Sequence, residues 1–211
     1  IKILIKLIES NDTGFKDIID LDLISKVNYM ISKDNLEEIT VYTEYVIEML
    51  FDLLFKINET KRKFSNNYDK ENFKKNFMEK IEKIAINFKL CIKLLGCDNS
   101  SIQELSCVNL IFMLQFFPNG YIKCIDVNVK FTSEDIPDLL KGLDSSCKKI
   151  HKKMIKIFKW IIEYQDDAKE ILKNYISYIQ ICMEKIKNSS TEPDVVETAR
   201  KFLENDLIRV M

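Results

Sequence analysis

Between Ser133 and Asn188 the apolar residues recur every three or four positions, in two successive blocks. Cys147, Ile150, Met154, Phe158 and Ile161 fall on one face of a helix, and Ile155 and Ile162 widen the stripe to a core-facing width. Lys148, Lys149, Lys152, Lys153, Lys156 and Lys159 occupy the opposite side. The second block carries Ile171, Leu172, Tyr175, Ile176, Ile179, Cys182, Met183 and Ile186. Only Glu163 to Asp167 separates the blocks, too short for a crossover, so the two helices must pack as neighbours. A short helix near Ile136 to Leu143 precedes both. Ser133 marks its start, with Glu134 and Asp135 in the first turn and Pro137 near the first helical position.

This unit recurs. Asn99-Ser100-Ser101, Asp144-Ser145-Ser146 and Ser189-Ser190-Thr191 are three hydroxyl-rich turns spaced 45 residues apart, each followed by a helical pattern. Leu94-Leu95 and Leu139-Leu140 precede the first two turns at the same interval. An all-helical period of this length matches the armadillo and HEAT repeats. The expected fold is all-α, an armadillo/HEAT-like right-handed α-solenoid forming a single domain over 1–211. An irregular helical bundle is the alternative.

Composition agrees with the class. Only four glycines and three prolines are present, fewer than all-β folds or glycine-loop nucleotide folds require. The chain is 46% apolar and 31% charged, enough to build a core, and its net charge of −1 argues against a general polyanion binder. Six cysteines are scattered without a CxxC pair, as expected of small core residues in a reducing compartment. No apolar run is long enough to span a membrane, so a cytoplasmic protein is expected.

Further helices are expected at Ile1–Glu9, within Phe15–Met30, at Leu36–Ile57, Phe73–Leu95 and Ser101–Phe117, and from Thr191 to Met211 with an interruption near Pro193. Glu59 to Asn72 is a polar loop. Tyr121 to Thr132 alternates apolar and polar residues without a pairing partner and reads as an ordered connector.

The residues for catalysis are missing. The single histidine, His151, lies beside Ile150 on the apolar half of its helix, and a satisfied, partly buried ring is the better reading than a catalytic base. No His, Cys or Asp group has metal-ligand spacing, and no phosphate loop, dinucleotide fingerprint or kinase signature is present. A non-enzymatic protein without cofactors is expected.

Taken in order, several segments resemble the Mo25 (calcium-binding protein 39) family of kinase scaffolds. They are LLGCDNSSIQELSCVNLIFML at Leu94–Leu114, FTSEDIPDLL at Phe131–Leu140, IFKWII at Ile157–Ile162, EILKNYISYI at Glu170–Ile179 and VIEMLFDLL at Val46–Leu54. The resemblance implies that the chain is the C-terminal two-thirds of a longer solenoid. It also implies a concave surface that holds a STE20-type protein kinase or pseudokinase in its active conformation, and a pocket for a Trp-Glu-Phe tail. The family's tyrosine, arginine and lysine at the start of the long helix fall here on Ser100, Glu104 and Val108. Its pocket methionine falls at Pro137, and its following arginine and phenylalanine fall near Phe117 and Gly120. A glutamate where the family has positive charge puts the tail pocket in doubt.

Two functions follow. The first is a monomeric scaffold that stimulates a kinase; it predicts apolar exposure around Ser101–Phe117 and Ile136–Lys153. The second is a repeat adaptor for an acidic or cytoskeletal partner, binding through Lys149, Lys153, Lys156 and Trp160; it predicts a lysine face without a pocket. Lysines without interleaved arginines or aromatics are a poor footprint for nucleic acid.

Overall fold

The computed structural model describes residues 87–116, 131–165 and 167–211, and every regular element among them is helical. In chain order these are α1 (Asn87–Leu95), α2 (Ser100–Phe116), α3 (Ile136–Leu143), α4 (Lys148–Tyr164), α5 (Ala168–Leu172), α6 (Ile176–Ser189) and α7 (Pro193–Lys201). A π-turn over Phe202–Asp206 and a 3-10 turn over Leu207–Val210 close the chain. The expected helices before Asn87, the Glu59–Asn72 loop, most of the Tyr121–Thr132 connector, and Phe117 lie outside the described residues.

Local chemistry explains the starts of α2, α3 and α7. Asn99 caps α2, its Oδ1 accepting the Ser101 and Ile102 amides at 3.0 and 3.2 Å. Helix α3 spans Ile136–Leu143 as expected, although Ser133 does not cap it. Asp135 is its N-cap residue, and Ser133 and Glu134 belong to a preceding turn closed by the Asp135 amide on Thr132 O at 3.0 Å. The buried Asp135 carboxylate accepts from the Thr132 amide (2.7 Å), the Thr132 hydroxyl (2.9 Å) and Lys89, which ties that turn to α1. Pro137 in the first turn of α3 and Pro193 at the start of α7 pre-set the helical φ at no cost in hydrogen bonds.

The helices pack as successive neighbours. α1 lies against α2 and α3, α2 against α4, α3 against α4, and α4 against α7, which also pairs with α6. Ile150, Met154, Phe158 and Ile161 are buried as their spacing predicts, and Ile157 joins them. Gly142 marks a tight approach of α3 to its neighbours: a Cβ there would stand 3.2 Å from both Leu95 Cβ and Met154 Cε. An aromatic row crosses the layers, with Phe88 on Phe131 at 4.9 Å, Phe131 on Trp160 at 6.0 Å, and Trp160 on Tyr164 at 5.5 Å between centroids.

Two expectations are corrected. The block from Ile171 to Ile186 is not one helix: the chain breaks at Lys173–Tyr175 without any glycine or proline. The break lets α5 pack Ala168, Ile171 and Leu172 against α4 and the C-terminal turn while α6 turns to meet α7. The last helix starts at Pro193 and is not interrupted there; its regular part ends at Lys201. It widens into the π-turn after Lys201, which buries Phe202, Asp206 and Leu207 in succession.

Candidate functional site

The site expected on α2 and α4 is partly assembled. Ser100, Glu104 and Val108 stand one turn apart along α2, exposed, half-buried and half-buried in that order. Glu104 faces α4, its carboxylate oxygens each 3.7 Å from a lysine, Lys149 on one side and Lys153 on the other. Lys156 is exposed a turn further on. Trp160 stands about 16 Å along the helix from Lys149 and is half-buried on Phe131, so it is not a free anchor. Pro137 is exposed at the start of α3. Glu104, Lys149 and Lys153 are therefore joined, and Trp160 is not part of their cluster.

The lysine side of α4 is largely committed within the fold. Lys149 and Lys153 meet Glu104, Lys152 meets Asp194 of α7, and Lys159 meets Glu163 at 3.5 Å and Asp206 at 3.6 Å. An acidic partner would have to displace these pairs. Among the described residues apolar exposure is not centred on α2: Leu105, Val108, Ile111 and Phe112 are half-buried, and the exposed large apolar side chains described are Tyr164, Tyr178, Ile181, Ile208 and Met211.

A cleft of about 300 Å³ opens where the first two hydroxyl-rich turns meet. The α1–α2 turn contributes Gly96, Cys97, Asp98 and Ser100; the end of α3 and the α3–α4 turn contribute Lys141, Asp144, Ser145 and Ser146; α6 contributes Tyr178. Its floor is a closed hydrogen-bond network. The Gln103 amide nitrogen donates to Leu95 O at 3.1 Å and Cys97 O at 2.6 Å, satisfying carbonyls at the end of α1. The Ser145 hydroxyl donates to Gln103 Oε1 at 2.6 Å and accepts the Cys147 amide at 3.1 Å. His151, 8% exposed, places Nε2 2.8 Å from Ser145 O; a carbonyl only accepts, so this nitrogen carries the proton. The ring is a satisfied tether, as its position beside Ile150 suggests.

Cys97, Tyr178 and Cys182, in or beside the cleft, are shifted upward. Burial raises the Cys97 thiol, and Asp98 adds to the effect. Burial raises Cys182 too, with Asp144 contributing, and the Tyr178 hydroxyl is raised by Cys182 and Asp144. Deeper in the core, desolvation pushes Cys91 and Cys107 far up, and the Cys107 sulfur rests 3.6 Å from Met154 Sδ. The five described cysteines are free thiols. Among the described residues no group of three His, Cys, Asp or Glu side chains could hold a metal ion, and no helix is long and apolar enough to cross a membrane.

Sequence reasoning found the turns but missed Gln103 and Tyr178. A glutamine on a helical core face was a usable signal; nothing in the spacing marked Tyr178. Compared with known proteins, the chain matches no family model, no curated protein and no solved structure.

Proposed function

We propose that this chain is a non-catalytic helical-repeat scaffold, an armadillo/HEAT-like right-handed α-solenoid. On the resemblance to the Mo25 family, we propose that it binds and stimulates a STE20-type protein kinase or pseudokinase as a monomer in the cytoplasm. The observation that supports the repeat reading is the relation between two turns 45 residues apart. Asn99–Ser101 and Asp144–Ser146 each lead into a 17-residue helix, and those helices, α2 and α4, pack side by side. A scaffold of this kind works without chemistry of its own. It binds the closed kinase better than the open one and shifts the population by that difference.

The Glu104 cluster bears on the ligand. Where the family carries positive charge, this chain carries the Glu104 carboxylate, already engaged by Lys149 and Lys153, so an acidic-aromatic tail meets a like charge at that position. We propose that the partner is held through the wider α2–α4 face and not through a Trp-Glu-Phe pocket.

The test is capture from the protein's own cell lysate with the full-length chain, identification by mass spectrometry, and assay of any captured kinase with and without the chain. A STE20-type kinase or pseudokinase whose activity rises on addition sustains the proposal. Reproducible absence of such a kinase sinks it.

A further inference from the structure

Phe131 is held as a ligand would be held. Its ring is fully buried between Phe88 of α1 and Trp160 of α4, with centroids 4.9 and 6.0 Å away and both neighbours meeting it edge-on. Its main chain is read by one side chain. The Phe131 amide donates to Gln165 Oε1 at 2.8 Å, and Gln165 Nε2 donates back to Phe131 O at 3.1 Å. A glutamine thus makes with one residue the two-way exchange that a neighbouring strand would make. Four residues on, the buried Asp135 carboxylate meets Lys89 of α1. The hydrogen bonds that carry Phe131–Asp135 across to α1 and α4 therefore come from two side chains, Lys89 and Gln165.

The receiving groups are positioned from outside this segment. Gln165 Nε2 also donates to Asp167 Oδ1 at 3.3 Å, which orients the amide. Trp160 is backed by Tyr164 at 5.5 Å, and Phe88 belongs to the core face of α1. The slot is built by α1 and the end of α4, and Phe131 fills it. Its recognition is general in form. A side-chain amide that bonds both N–H and C=O takes the main chain of any non-proline residue, and the slot between two rings selects a third ring. An acid four residues later answers Lys89.

We propose that this slot binds an extended partner segment bearing an aromatic residue and, four residues later, a carboxylate, and that Phe131–Asp135 occupies it as an internal competitor. The inference goes beyond the kinase reading and does not require it: Phe88, Trp160 and Gln165 wall the slot, and none belongs to the Glu104 cluster.

Trp160 is the single tryptophan and forms one wall, so its emission reads the slot. The full chain and its Phe131→Ala variant are titrated with acetyl-Phe-Thr-Ser-Glu-Asp-amide, the segment's own sequence, and with the same peptide carrying alanine in place of phenylalanine. The phenylalanyl peptide is expected to bind Phe131→Ala at least about tenfold more tightly than the parent, whose own ring competes at high local concentration. The alanyl peptide should bind neither. Adding Gln165→Ala to Phe131→Ala should weaken the phenylalanyl peptide about tenfold. Release in the parent is read by native-state amide exchange, which needs no variant. The Phe131 amide is expected to exchange at least about tenfold faster than the Phe158 amide of α4, because the segment opens without the core. The proposal is overturned if the two amides exchange at one rate, if titration of folded Phe131→Ala leaves Trp160 emission unchanged, if the alanyl peptide binds as well, or if Gln165→Ala leaves the affinity as it was.

Discussion

The Ser145 hydroxyl donates to Gln103 Oε1 at 2.6 Å, joining the α3–α4 turn to the start of α2 across 42 residues of sequence. Because Gln103 also satisfies Leu95 O and Cys97 O, the pair fastens the end of α1, the start of α2 and the α3–α4 turn together. Buried networks of this kind are cooperative, so single deletions should not add. In urea unfolding, Gln103→Ala and Ser145→Ala are expected to show a coupling of about 0.5–1.5 kcal/mol in a double-mutant cycle. Simple additivity would show that the two turns are held independently.

Gly142 is required by space. Its missing Cβ would meet Leu95 Cβ and Met154 Cε at 3.2 Å. Gly142→Val is expected to cost about 1–3 kcal/mol, because the backbone-proximal Leu95 Cβ cannot move aside as the Met154 tip can. Met154→Val in the same background should recover part of the loss. An unchanged midpoint for Gly142→Val would mean that α3 can shift outward freely.

Glu104 should matter little for stability. Its partner Lys149 is well exposed and both ion-pair distances are 3.7 Å, so Glu104→Gln is expected to cost less than about 1 kcal/mol. That makes Glu104→Arg usable as a binding probe: folding is retained while the charge at position 104 reverses. A loss of several kcal/mol on urea unfolding would contradict this.

The thiols should divide by position. Burial raises Cys91 and Cys107, so neither is nucleophilic near neutral pH in the folded chain. Alkylation at pH 8 followed by peptide mapping is expected to leave both unmodified until urea is added. Their modification at the rate of a free thiol would show that α1 opens from α2.

On α7, Arg200 and Lys201 hold the Glu197 carboxyl down to about 2, against an ordinary value of 4.5. A depressed acid contributes stability that is present above its unfolded pKa and is lost as pH falls through its folded one. The contribution should therefore disappear between pH 4.5 and about 2. NMR titration of the Glu197 side-chain carbon is expected to show a midpoint near the lower limit, moving upward in Arg200→Ala. A midpoint in the ordinary carboxylate range would show that the Arg200 pair is not populated.

Much of the helical layout is legible in the residues alone. The stripe from Ile150 to Ile161, the helix from Ile136 to Leu143, the tethered His151 and the recurrence of hydroxyl-rich turns all follow from periodicities of three to four and of 45. These are local properties, because a helix that must bury one face advertises that face in its own sequence. The break at Lys173–Tyr175, the π-turn after Lys201, the pairing of α4's lysines with Glu104, Asp194 and Asp206, and the cleft beneath Tyr178 were decided only by tertiary packing. In each case the deciding partner lies on another element, tens of residues away. Neither a breaker residue nor a spacing rule records where two helices part or which charge will stand opposite a lysine.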